Sequence, residues 1–424
     1  MLEYPLFYWG RVFVISRLME NETLKKLFQL EFSKMVAVIS RLYGLEYIEI
    51  AEDIISETFL QAAESWGIKG MPQNPAAWLY TVAKHKTLNY FNRNKIYENK
   101  VKPELNKKAE EGIEEFDFTL QSIKDSQLQM IFAVCNPVIA SEAQIGLALR
   151  ILSGFGIDEI AEAFFSNKET INKRLYRAKE KLRTEKIKME MPTDGEIRGR
   201  LDNVLRVIYL LFNEGYYSRT QNKILQKDFC LEAMRLCILL TDYEITNLPE
   251  TNALLALMCF HASRFDARQT ADESFILYRE QNESLWDKEL IEKGTHYLNI
   301  SMQGNEITSY HLEAKIAFWH CIKEDNVKKW VDILQLYNKL LVVNHSPGVA
   351  LNRIFAIYKV YGAKTALIEA ENLKFEKGYF YFLLLGDLYR DLDKTKAKEN
   401  LQEACALAKL EIEKQIIQKK ISNL

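Results

Sequence analysis

The chain has 424 residues, of which 48% are hydrophobic and 27% are charged. This composition is typical of globular proteins and excludes wholesale disorder, and the length predicts two or three domains. The formal net charge of -2 excludes a protein that coats nucleic acid through bulk charge, although one local basic face is still compatible with it. Glycine and proline are sparse, at 17 and 8 residues, and Leu, Lys, Glu, Ala and Ile are abundant. These features predict an all-α fold.

The first 18 residues are apolar but are interrupted by Glu3, Arg11 and Arg17. The stretch is too short to span a membrane, and no membrane partner is predicted. A polar-capped helix begins just after Met19. We therefore expect Met19 to be the true start and residues 1–18 to be a non-native or disordered extension. The alternative is that these residues form a genuine additional helix.

Three helices are predicted in a first domain that covers residues 19–95. Apolar residues spaced by three and four predict helices over 22–43 and 48–66. Asn74 followed by Pro75 is a helix start signal and predicts a third helix to about Arg93. The charged segment 96–126 lacks a sustained apolar period and is predicted to be a linker.

The second predicted helix has an acidic face. Glu49, Asp53, Glu57 and Gln61 follow one another at i, i+4 spacing. Like charges at that spacing cost about 0.2–0.5 kcal/mol per pair in an isolated helix. A basic partner surface would offset this cost, so the face is a candidate docking surface.

The third predicted helix ends in aromatic residues among cations. Tyr90 and Phe91 lie close in sequence to Arg93 and Lys95. Stacking of an aromatic side chain on an unpaired base contributes about 1–3 kcal/mol, so this end could hold single-stranded nucleic acid. The alternative is that both rings are core residues and that the basic turn is favoured by the helix dipole.

A helix-turn-helix is predicted within a domain that covers residues 127–190. Its first helix places Ile160 and Ala161 inward. Asn167 can cap the second helix, whose apolar line is Ile171, Leu175, Ala178 and Leu182. Nine Lys and Arg lie between Lys168 and Lys188, against three Glu. A local positive excess of this kind is typical of duplex DNA binding, and the alternative is an ordinary solvated basic face.

Residues 191–424 are predicted to form a separate helical block. The segment 385–408 has the pattern of a tetratricopeptide-type helix pair. The cluster from Phe212 to Tyr217 could line a ligand pocket or could be packing and capping residues. The histidines and cysteines show no metal-ligand spacing, and no P-loop, nucleophile elbow or dinucleotide motif occurs. The sequence therefore predicts no cofactor, no metal site and no enzyme.

The order of three segments resembles the extracytoplasmic-function sigma factors of the sigma-70 family. The segments are AEDIISETFLQAAESW, NPAAWLYTVAKHKTLNYFNRN and IDEIAEAFFSNKETINKRLYRAKEKL. The resemblance covers region 2, at about Met19 to Lys95, and region 4, at about Gln127 to Lys188. The remainder, starting at VIYLLFNEGYYS, resembles the long helical extension of one subgroup.

The resemblance implies a cytoplasmic factor with two partners, core RNA polymerase and promoter DNA. It implies that Asp53, Glu57 and Gln61 bind the polymerase. The end of region 2 would hold the -10 element through Asn89, Tyr90, Asn92, Arg93 and Lys95. The region 4 helix would read the -35 element through Lys168, Thr170, Asn172, Lys173, Arg174, Arg177 and Lys181.

Chemistry supports these roles, because Arg174 and Arg177 can each form two hydrogen bonds to guanine. Asn89 and Asn92 depart from the Asp and Arg that family members often carry, which bears on promoter preference. The extension at 191–424 is expected to be regulatory and to take a protein or ligand partner that the sequence does not identify. Two other classes stay open: a stand-alone helix-turn-helix regulator with a helical sensor domain, and a helical scaffold with an incidental basic segment.

Overall fold

The computed structural model describes residues 22–101, 118–164, 166–216, 227–268, 276, 278–304, 306–375, 377–408 and 411–424. Within these ranges all regular structure is helical, which confirms the predicted all-α class. No helix in the described ranges is both long and apolar enough to cross a membrane. The chain divides into two compact units, Met1–Val207 and Ile208–Leu424. The prediction for residues 1–18 lies outside the described residues.

The first unit begins with three helices: α1 (Glu22–Tyr43), α2 (Ile48–Lys69) and α3 (Pro75–Val101). Helix α1 has the predicted bounds. Helices α2 and α3 start where predicted but continue past Trp66 and Arg93. Phe32, Phe59 and Leu79, one from each helix, are completely buried in their shared core.

Four more helices follow in the first unit: α4 (Leu120–Val134), α5 (Ser141–Leu147), α6 (Ile157–Ala163) and α7 (Lys168–Thr184). Helix α4 begins inside the segment 96–126 that was predicted to be a linker. The Thr119 hydroxyl caps it by accepting a hydrogen bond from the backbone N–H of Ser122 at 3.3 Å. Its first turns carry few apolar residues, which is why the periodicity did not indicate them.

Helices α6 and α7 pack as their sequence pattern predicts. Ile160 and Ala161 of α6 are buried, and so is the complete apolar line of α7. The Asn167 side chain accepts a hydrogen bond from the backbone N–H of Thr170 at 2.8 Å, which confirms the predicted N-cap. Glu159 accepts a hydrogen bond from the backbone N–H of Gly156 at 2.6 Å and so caps α6, where Gly156 has no side chain to do so.

Helix α8 (Asp194–Tyr216) contains the boundary between the two units. In its first half, Leu201 and Val204 are fully buried. Arg200 donates a hydrogen bond to the carbonyl oxygen of Phe132 at 2.8 Å, and Asn203 donates one to the side chain of Gln144 at 2.9 Å. The first compact unit therefore extends to Val207, although the domain boundary is predicted at 190.

The second unit contains the remaining helices. These are α9 (Lys227–Thr241), α10 (Pro249–Ala262), α11 (Phe265–Arg268), α12 (Lys288–Ser301), α13 (Ser309–His320), α14 (Val327–Val343), α15 (Pro347–Tyr361), α16 (Ala363–Glu371), α17 (Tyr379–Tyr389), α18 (Lys394–Leu407) and α19 (Glu411–Ser422). Helices α17 and α18 pack against each other and overlap the segment 385–408. Gly386 allows their close approach, because a Cβ there would lie 2.6 Å from Cγ of Leu401.

The aromatic cluster at the end of α8 is packed into the second unit. Phe212 is 1% exposed and stacks on Tyr216 with 5.6 Å between ring centroids. The guanidinium of Arg268 lies 3.9 Å from the centre of the Tyr216 ring. These contacts favour the packing alternative for Phe212 and Tyr216. Tyr217 lies outside the described residues.

Glu313 gives the second unit a pH-dependent stability. The hydroxyl of Tyr209 donates a hydrogen bond to its carboxylate at 2.9 Å, and burial raises its pKa to about 7. The folded state therefore holds the proton more firmly than the unfolded chain does. Stability contributed by this group is present at low pH and is lost as pH rises from about 4.5 to about 7.

The Glu313→Gln variant is expected to lose this pH dependence. The residue is partly exposed and water screens its charge, so we expect the variant to gain about 1–2 kcal/mol over the wild type between pH 5 and pH 8. Urea unfolding at the two pH values measures the difference. The exposed Glu306→Gln is the control, and an unchanged pH slope in Glu313→Gln would contradict the assignment.

Candidate functional site

The acidic face of α2 is exposed along part of its length. Glu57 and Gln61 are exposed and Asp53 is half-buried, so the three predicted docking residues share one accessible face. The Nζ of Lys86, on α3, lies 3.3 Å from the carboxylate of Glu57. Part of the like-charge repulsion on α2 is thus offset inside the protein.

Beside this face, ion pairs join α2 to α7. Glu52 is 1% exposed, and its carboxylate forms ion pairs with Arg150, at 2.9 Å, and with Lys179. Arg150 also donates a hydrogen bond to the carbonyl oxygen of Phe155 at 3.0 Å. We call Glu52, Arg150 and Lys179 the Glu52 triad. Arg183 extends the contact, with its guanidinium 3.8 Å from Glu49.

The Glu52 triad was not predicted from the sequence. Its members come from α2, from the π-helical turn Ala148–Leu152 that follows α5, and from α7. Lys179 and Arg183 belong to the nine cations counted as a basic footprint. Because both are paired with α2, fewer positive charges are available to a polyanion than the count suggests.

At the end of α3 the structure separates packing residues from exposed ones. Phe91 stacks on Tyr43 with 3.6 Å between ring centroids and contacts Tyr47 edge-on at 5.2 Å, so the core alternative applies to this ring. Tyr90 is half-buried against the edge of Phe91. The exposed predicted residues are Asn89, Asn92 and Arg93. The side chain of Lys95 lies outside the described residues.

The predicted reading residues of α7 fall into two groups. Lys168, Thr170, Lys173, Arg177 and Lys181 are exposed, whereas Asn172 and Arg174 are half-buried. Ion pairs engage Lys168 with Asp158 at 2.5 Å, Lys173 with Glu169 at 2.6 Å, and Arg174 with Glu142 at 3.2 Å.

Arg177 and Lys181 form one face of α7 at i, i+4 spacing. In the described part of the chain no carboxylate pairs with either side chain. Tyr176, which the sequence analysis did not single out, is 56% exposed beside them. This face offers two uncommitted cations and an aromatic ring to solvent, a combination suited to a phosphate backbone and to base edges.

The residues that the structure describes contain no group of three or more His, Cys, Asp or Glu side chains that could hold a metal ion.

Comparison with known proteins places helices α1 to α3 in a family. Residues 28–96 match the sigma-70 region 2 family, and residues 200–302 match a family of unknown function, DUF6596. The chain is 32% identical over 370 residues to "Uncharacterized protein R00370" of Rhizobium meliloti (strain 1021), which covers 85% of this chain and 86% of that relative. The chain contains a sigma-70 region 2 domain. It belongs to one family with this Rhizobium meliloti relative. No solved structure matches it significantly.

The region 2 match indicates a role in transcription initiation, with core RNA polymerase and promoter DNA as partners. Sigma-70 family factors are non-enzymatic regulators of transcription. The region 2 match falls on the helices that carry the acidic face of α2 and the exposed end of α3. The second match begins within α8 and ends one residue after α12.

Proposed function

We propose that this protein is a sigma factor of the extracytoplasmic-function type, acting in the cytoplasm with core RNA polymerase. In this proposal Asp53, Glu57 and Gln61 dock on the polymerase, and the end of α3 holds the -10 element. Helices α6 and α7 act as a helix-turn-helix that reads the -35 element. The observation that carries the proposal is the region 2 match on α1 to α3.

The uncommitted cations of α7 support the second DNA contact. Arginine with a free guanidinium can donate two hydrogen bonds to the O6 and N7 atoms of guanine, whereas lysine more readily contacts phosphate. We therefore assign base reading chiefly to Arg177 and backbone contacts to Lys173 and Lys181. Arg174 can contact a base only when its ion pair with Glu142 is broken.

Run-off transcription with purified core polymerase on a genomic promoter library tests the proposal. We expect specific transcripts that require both the polymerase and this protein. A stand-alone helix-turn-helix regulator would instead bind the same DNA without polymerase, and a helical scaffold would bind no DNA in either condition. Either result would reject the sigma factor assignment.

The Arg177→Ala variant is expected to reduce transcription from the selected promoter about 10-fold to 100-fold, because one base contact is worth about 1–3 kcal/mol. Its fold should not change, since the side chain is exposed. Arg206→Ala removes an exposed arginine of α8 in the same unit and is the control. Wild-type promoter affinity of the Arg177→Ala holoenzyme in a band-shift would show that Arg177 reads no base.

The helices that follow α8 are proposed to be a tetratricopeptide-like regulatory extension. Their helix pairs, of which α17 and α18 are one, support this assignment. We propose that the extension is needed for activity, because it is too large to be a passive tail. A chain shortened within the second unit that transcribes as well as the full chain would reject this view.

A further inference from the structure

The second unit contains a large open cavity that the sequence did not predict. Its volume is about 960 Å³, which lies within the range of small-molecule sites. Six Lys and Arg and four Asp and Glu line it, so its walls carry a net positive charge of two. The lining comes from residues between Arg264, just after α10, and Asn423, at the end of the chain.

Three of the lining cations lack a carboxylate partner among the described residues. Arg264 is 7% exposed, and its guanidinium makes no hydrogen bond or ion pair there; the buried Nε is without an acceptor. Lys329 is 2% exposed and donates to the carbonyl oxygen of Ile322 and, at 3.3 Å, to the hydroxyl of Tyr278. Lys323 donates to the carbonyl oxygen of Gln281.

A buried guanidinium without an anion is costly, because its desolvation is not compensated. Most of the cavity's carboxylates cannot supply that anion, since they are committed elsewhere. Asp325 lies 2.6 Å from Lys359, Asp387 lies 2.6 Å from Lys420, and Glu280 lies 3.6 Å from Lys419. Among the residues that the structure describes, Arg264 therefore has no counter-ion of its own.

Two groups beside these cations have pKa values below their usual ones. Burial, together with Arg264 and Lys329, lowers the pKa of His320 to about 3. Burial and the charge of Arg264 also lower the pKa of Lys329, against the opposing effect of Asp325. Burial is the main cause of both shifts, and the positive charge of Arg264 contributes to both.

Aromatic rings stand beside these cations. The guanidinium of Arg264 and the ammonium of Lys329 lie 5.5 Å and 5.6 Å from the centre of the Tyr278 ring. Trp330 and Phe355 line the same cavity, with 5.5 Å between their ring centroids. Such walls can pack against the planar or apolar body of a ligand.

We propose that this cavity binds a small organic anion, whose carboxylate or phosphate group pairs with Arg264 and Lys329 and whose planar body packs against Tyr278 and Trp330. The proposal is independent of promoter recognition. It gives the chemical class of the ligand that was expected to bind the extension.

Titration of the full chain with phenyl phosphate and with benzoate, followed by ligand-observed NMR, tests the proposal. We expect at least one to bind with a dissociation constant of about 1 mM or tighter, as fragments of this size do. Inorganic phosphate should bind more weakly because it cannot contact the rings. Binding of phenyl phosphate would indicate a phosphate ligand, and binding of benzoate would indicate a carboxylate ligand.

Arg264→Met is expected to weaken binding of the probe at least tenfold. It should also raise the melting temperature of the unliganded chain, since a buried charge without a partner is removed; a merely structural arginine would lower that temperature. Lys323→Met, at a less buried position, should weaken binding while leaving the fold intact. Arg353→Met is the control, because this arginine pairs with Glu369 at 2.8 Å and does not line the cavity.

Four results would overturn the proposal. They are no binding of either probe at about 10 mM, unchanged affinity in Arg264→Met, inorganic phosphate binding as tightly as phenyl phosphate, and binding of acidic peptides only.

Discussion

Replacing Glu52 by glutamine is expected to lower the free energy of unfolding of the first unit by about 3 kcal/mol. The carboxylate is 1% exposed and pairs with both Arg150 and Lys179, whose side chains are each 11% exposed. Removing one member of a buried ion pair leaves the others desolvated without a counter-charge, which typically costs about 3–5 kcal/mol. Urea denaturation of the full chain measures the change, and faster hydrogen exchange in α7 should accompany it.

Glu57→Gln is the matched control for this experiment. Glu57 lies on the same helix and also pairs with a cation, Lys86, but its side chain is 58% exposed. Exposed pairs contribute about 0–1 kcal/mol, so little change is expected. A loss below about 1 kcal/mol in Glu52→Gln would show that α7 does not depend on the Glu52 triad.

The second large effect is expected from shortening the chain at Pro192. That point lies beside the domain boundary predicted from the sequence, but it removes all of α8. The lost residues include Leu201 and Val204, which are fully buried, and the hydrogen bonds of Arg200 and Asn203 to α4 and α5. Full burial of one such aliphatic side chain is worth about 1.5–3 kcal/mol, so we expect a loss of more than about 4 kcal/mol, comparable to the whole stability of a marginal domain.

A chain that ends at Val207 is the comparison for the shorter one. It keeps the first half of α8 and should retain the thermal transition of the first unit, which the chain ending at Pro192 should lose. Circular dichroism melting of both proteins measures this. Equal melting temperatures would mean that α8 contributes nothing to the first unit. Only the longer chain is suited to testing whether the extension controls transcription.

The features that were predicted from the sequence depend on residues that lie close together in the chain. The cap at Asn167 and the apolar line of α7 follow from spacing within about one or two helical turns, and both are present as predicted. The Glu52 triad could not be found in this way. Its two ion pairs join residues that are 98 and 127 positions apart, and no local pattern records such a pairing.

Composition also indicates where one helix ends and the next begins. It indicates less well where a hydrophobic core ends. The turn-rich stretch around Pro192 does separate α7 from α8, as its residues indicate. Burial and hydrogen bonding nevertheless join the first half of α8 to the helices before the break. The cavity around Arg264 was equally hidden, because its charges come from segments scattered over more than 150 residues.

A partner that binds α2 and α7 only when they are apart would first have to break the Glu52 triad. If separating α7 from α2 costs about 3 kcal/mol, only about one free chain in 150 has the two helices apart at a given moment. A partner that requires the separated arrangement then binds with an apparent dissociation constant about 150-fold weaker than its intrinsic one. Any event that weakens the triad by about 1.4 kcal/mol would lower the apparent dissociation constant of such a partner about tenfold.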